Sequence, residues 1–152
     1  MRRFQAVLAV GLAVCVALIG LGSGPAAAYE TPAKGSDLRR ALVDALRPHA
    51  EWLLGAPVEF VVDDPRVAGN RAFGTFSPQR PGGGAINPAR TAMALRGEWQ
   101  TEFIDGLHIE ALYQKSGDTW VAVHWHIGAT DVWYAWDALC ADYAAVTPEV
   151  CR

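Results

Sequence analysis

Cysteine is scarce in this chain. Its 152 residues hold three, at positions 15, 140 and 151, with no Cys-x-x-Cys among them, which argues against thiol exchange. Positive charge is also short: 13 Lys+Arg stand against 16 Asp+Glu, for a net charge of -3, so the chain carries no basic footprint for a nucleic acid. There is no Gly-x-Ser-x-Gly nucleophile elbow, and Ser77 and Ser116 both sit beside turn residues, which argues against covalent hydrolase chemistry. Gly82-Gly83-Gly84 lacks both the following Lys-Ser/Thr and the strand-to-helix setting of a phosphate loop. No internal repeat is visible, and the length allows one domain rather than several. A hydrophobic content of 51% with six Trp disfavours an extended disordered chain and supplies a small, well-filled core.

What is present begins with an export signal. Arg2 and Arg3 precede an apolar run over 4–21, and Gly22, Ser23, Gly24, Pro25 and Ala26-Ala27-Ala28 follow it. A charged start, an apolar middle and a small-residue cut site predict a signal peptide over 1–28, cleaved near Ala28, and a mature protein in the periplasm or outside the cell. The run is marginal in length for a span and is broken by Gly11 and Gly20, so no stable membrane insertion is expected after cleavage. Cys15 lies in the middle of the run, not at its end where a lipoprotein cysteine would stand. Removing Arg2 and Arg3 leaves 11 cations against 16 anions, a balance of -5. Cys140 and Cys151 remain, and an even pair in an oxidising compartment reads as one disulfide pinning the C-terminus.

Residues 29–36, with Pro32 and Gly35, form a flexible lead-in, and 37–152 read as one domain. Ser36 or Asp37 can cap a helix in which Leu38, Leu42, Ala45, Leu46, His49 and Leu53 recur every three or four residues; Pro48 would disturb it, and Gly55 and Pro57 end it. Val58, Phe60 and Val62 alternate with Glu59 and Val61 as in a half-buried strand. A second strand runs from near Val67 to near Phe76, with Gly69-Asn70 as a bulge or the hairpin turn. The pattern is lost over 77–96, a Pro/Gly-rich excursion that either covers a pocket or partner surface or has no role. Order returns at 98–104, followed by the Asp105-Gly106 turn, a strand over 107–115, a tight turn at Ser116-Gly117-Asp118 and a matching strand over 119–127. Thr130 can cap a short helix within 131–143, unless that stretch is an irregular aromatic tail. The order predicts a two-layer α+β fold, with an N-terminal helix packed on one face of a curved antiparallel sheet of four or five strands; a small barrel is the alternative.

Strand alternation puts His124 and His126 on one face with Trp120 and Ala122, and Val121, Val123, Trp125 and Ile127 on the other, beneath the helix. Two imidazoles so spaced can share a metal, with further ligands from His108, Glu110, Glu102 or Asp105, or one can act as an acid/base group near neutral pH. In that second case Asp105 or Glu110 is the charged partner, although a turn already explains Asp105, as it does Asp63 and Asp64. Trp120, Trp125, Trp133, Tyr134 and Trp136 crowd the last third, where aromatics fill a limited core or line an apolar cavity; Trp120 and Trp133 are the candidates for ligand contact. Arg66, Arg71, Arg80, Arg90 and Arg96 form no helix face or dense patch and are expected to pair within an acidic protein.

Two resemblances bear on the fold. Val58-Glu59-Phe60-Val61-Val62, the segment Arg66-Val67-Ala68-Gly69-Asn70-Arg71-Ala72-Phe73, and Gly117-Asp118-Thr119-Trp120-Val121-Ala122-Val123 resemble the strand pattern of a family of small uncharacterised exported bacterial proteins. That similarity runs over most of the mature chain and implies no activity. The stretch from Gly117 to His124, read as Gly-x-Trp-x-x-x-x-His, is similar to a strand of the cystatin-like and nuclear-transport-factor-like superfamily, which implies a helix packed on a curved sheet. The chain lacks the additional early helices of the cone-shaped enzymes in that group, so the resemblance bears on fold more than activity.

With no self-sufficient catalytic motif, the leading expectation is a non-catalytic binding or interaction domain that requires no cofactor. It would use the open sheet face or the 77–96 excursion to engage a protein or a small apolar ligand. One rival is a cofactor-free lyase, isomerase or hydrolase using His124 or His126 with Asp105 or Glu110. Another is metal binding through His124 and His126. An exposed sheet edge would also support a homodimer.

Overall fold

The computed structural model describes residues 29–100 and 102–151; the expected export signal at 1–28 lies outside them, as do Thr101 and Arg152. Helix α1, Asp37–Leu54, starts at Ser36, whose side chain accepts the Arg39 N–H, and stops at Gly55, whose own N–H returns to the Glu51 carbonyl. Gly55 has φ 78, a left-handed conformation that favours glycine. Leu42, Leu46, Ala50 and Leu54, four residues apart, form the buried stripe. Pro48 lies within the helix but on its exposed side, and the helix runs through it for 18 residues.

Strands β1, Glu59–Val62, and β2, Arg66–Ala68, both pair antiparallel with β3, Arg71–Gln79. Gly69-Asn70 is therefore a hairpin turn, with Gly69 at φ 59. β3 continues beyond Phe76, where the sequence pattern ends, because Glu59 to Val62 align with Gln79 to Phe76 and satisfy its far half. Helix α2, Ala92–Leu95, preceded by a 3-10 turn at Pro88–Arg90, organises the 77–96 excursion and buries Met93, while Ile86 enters the main core. Strands β4, Ile109–Ser116, and β5, Thr119–Ile127, complete an open antiparallel sheet of five strands in the order β1-β3-β4-β5, with β2 also on β3. The described residues of 98–104 form no strand: the Phe103 N–H turns back to the Gln100 carbonyl at 3.0 Å.

The sheet is covered on both faces, not on the one face of the expected two-layer arrangement, because α3 docks opposite α1. On one face α1 packs over Ala72, Phe76, Ile109, Ala111 and Tyr113. On the other, helix α3, Asp137–Tyr143, brings Leu139 and Tyr143 onto Phe73 and Leu112, with Val146 behind them. Thr130 does not cap α3, whose N-cap position is Trp136 and which has no side-chain cap bond; a 3-10 turn at Trp133–Ala135 precedes it. The sulfurs of Cys140 and Cys151 are bonded at 2.00 Å, tying α3 to the chain end.

Candidate functional site

The face on which each β5 side chain lands is set by one extra residue. Tyr113 aligns with Ala122, yet the next residue of β4, Leu112, aligns with His124, which leaves Val123 as a bulge. Trp120 and Ala122 before the bulge and Trp125 and Ile127 after it all belong to the α1 side, where the His49 ring stacks on Trp125 at 5.1 Å. His124 and His126 do share a face, but Trp120 and Ala122 are not on it, contrary to simple alternation. A bulge shifts the phase of every residue beyond it. Trp120 is 7% exposed and part of the core, whereas Trp133 packs on the opposite face, so the sheet separates the two candidate ligand tryptophans.

Glu110 and His126 stand directly opposite each other across β4 and β5. Trp133 lies over both: its Nε1–H donates to Glu110 Oε2 at 2.8 Å, and its ring centroid is 4.8 Å from that of His126. Burial pushes the Glu110 carboxyl above the usual glutamate range; the Trp133 hydrogen bond and nearby His108 and His126 oppose the shift, and Asp131 adds to it. His124 instead faces Leu112, and Asp105 is exposed in the loop, its backbone N–H bonded to the Gly128 carbonyl at 2.8 Å. Among the described residues no group of three or more His, Cys, Asp or Glu side chains gathers as a metal would require.

Between β5 and the segment entering α3 lies an open cleft of about 490 Å³, walled mainly by Val123, His124, His126, Trp133, Trp136 and Leu139. Its walls are chiefly aromatic and aliphatic, with two imidazoles as the polar groups, a composition suited to an apolar or aromatic guest. Comparison with family models, curated proteins and solved structures finds no match. Leu139 and Val123 had no signal of their own in the sequence: the first depends on the docking of α3 and the second on the bulge.

A second cleft, of about 480 Å³, opens toward the α1 side and is lined by Leu53, Met93, Phe103, Ile104 and Ile127, with Asp131 at its wall. Trp125 and His126 are common to both clefts. Four of the five arginines expected to pair within the protein find partners there, and Arg90 makes no side-chain hydrogen bond or ion pair among the described residues. Arg66 joins Asp64 and Glu149, Arg71 joins Asp142, Arg96 joins Glu98, and Arg80 donates to the carbonyls of Leu54, Gly55 and Pro57. Among the described residues no helix is long and apolar enough to cross a membrane.

Proposed function

We propose that this chain is a small exported binding domain without catalytic activity, built on a cystatin-like helix-and-sheet core, and that the cleft beside β5 is its site. The reading rests on Trp136. A side chain that size left 69% exposed over an aromatic-walled cleft, rather than folded into either core, is a contact surface awaiting a guest. The test is titration with 8-anilinonaphthalene-1-sulfonate, followed by dye and tryptophan fluorescence. Saturable one-to-one binding that weakens about tenfold in Trp136→Ala, with unfolding unchanged, supports it. Dye binding equal in the two proteins, or none, sinks it.

The pairing of Glu110 with His126 favours a second reading, in which His126 is an acid/base group and Glu110 its carboxylate partner. It requires turnover in a panel of ester and β-elimination substrates that is lost in both Glu110→Gln and His126→Ala. Turnover indifferent to both substitutions rejects it.

A further inference from the structure

β5 ends the sheet, and among the described residues no strand pairs with its outer side. The opposite edge is differently protected: β1 and β2 are short, and Glu30 bridges to Val67. From Thr119 to Ile127 the β5 sequence holds no proline, lysine, arginine or carboxylate, so it carries none of the side chains that usually guard an edge. The bulge at Val123 breaks the strand, which leaves 124–127 as the regular stretch at its C-terminal end.

That stretch is flanked by both clefts. Trp125 and His126 wall each of them, one cleft opening on the α3 face and the other on the α1 face, at the same level of the strand. A strand added along this edge would send successive side chains alternately into the two clefts, while its backbone paired with β5. We infer that β5 recruits an extended peptide segment with two or three consecutive apolar residues and a basic residue on the side that meets the C-terminal end of β5. The proposal rests on the binding reading above and names the partner. The apolar run follows from clefts on opposite faces, which adjacent residues fill together. The basic residue follows from Asp105 and Asp131, both exposed beside the C-terminal end of β5 and in no ion pair among the described residues.

The experiment is selection of random heptapeptides displayed on phage against the purified chain, followed by synthesis of the consensus peptide. An apolar pair or triplet with Lys or Arg on one side is expected. Binding should slow amide exchange at 125 and 127, whose N–H groups face away from β4, and weaken about tenfold in both Trp136→Ala and Phe103→Ala, which remove one exposed wall from each cleft. Two N-methylated versions of the peptide, methylated on the two alternate sets of amides, separate backbone pairing from side-chain docking. One set should cost about tenfold or more and the other little, because only alternate N–H groups face β5. Selection of no peptide overturns the proposal, as do equal effects of the two methylated versions or unchanged exchange in β5. Concentration-dependent doubling of mass with β5 protected would assign the edge to a second copy and also overturn it. Dye binding in the first cleft that survives such a result confines the failure to strand addition; its loss removes the binding reading as well.

Discussion

Glu110 and Trp133 are held together by a hydrogen bond of 2.8 Å from the indole Nε1–H to the carboxylate, which joins the middle of the sheet to the segment that leads into α3. The bond places an ionisable group half-buried beneath an aromatic ring. The two consequences oppose each other, since burial disfavours the charge and the hydrogen bond favours it, and burial wins.

The pH dependence follows from that balance. With its folded value raised, Glu110 costs stability as the pH climbs from the ordinary glutamate range through the raised one; the cost is absent below that window and complete above it. Glu110→Gln removes the charge and keeps an oxygen for the Trp133 N–H. Its thermal midpoint should exceed that of the original protein at about pH 8, and the gap should close toward about pH 4. A gap that is constant or widens toward acid contradicts the assignment.

Val123 should behave in opposite ways to truncation and deletion. Val123→Ala alters a side chain 40% exposed and should move stability by less than about 1 kcal/mol. Deleting the residue removes the bulge and forces either Trp120 and Ala122 or Trp125 and Ile127 off the α1 face, so cooperative urea unfolding should be lost. A deletion variant that unfolds like the original would show that the bulge does not set the phase of the strand.

Tyr113 is fully buried between α1 and the sheet, and its hydroxyl has no hydrogen-bond partner among the described residues. Burial also pushes its ionisation well above the ordinary phenol range. Tyr113→Phe keeps the ring and deletes the orphan group, so it should raise unfolding stability by about 1 kcal/mol. A loss of that size in urea titration would mean that the hydroxyl is satisfied.

The Cys140–Cys151 link closes a short loop, with the two residues 11 apart in sequence. Replacing both with Ser should cost about 2 to 3 kcal/mol in unfolding experiments. Because Leu139 is next to the link and walls the first cleft, dye affinity should fall with stability. Unchanged affinity in the double variant would uncouple the clasp from the site.

Much of the fold was legible in local pattern. The spacing of Leu38, Leu42 and Leu46 announces α1, and the Ser116-Gly117-Asp118 turn announces the β4–β5 hairpin, since both signals are carried by neighbours in sequence. The second half of β3 was not, because Ser77, Pro78 and Gln79 become strand only through pairing with β1. The site divides in the same way. His124 and His126 share a face because they are two apart beyond the bulge, but the meeting of Glu110, His126 and Trp133 depends on cross-strand register and on the path into α3. Trp120 was misplaced for one reason: the extra residue at Val123 leaves no mark in composition or alternation.

That extra residue also has an evolutionary consequence. Along β5, the positions intolerant of substitution should be even-numbered before Val123, at Trp120 and Ala122, and odd-numbered after it, at Trp125 and Ile127. Selection on the buried core thus leaves His124 and His126 free to vary with whatever occupies the cleft, although they continue the even-numbered series that the core constrains just upstream. The two ends of one strand can drift under separate pressures, one set by the interior of the protein and the other by its company.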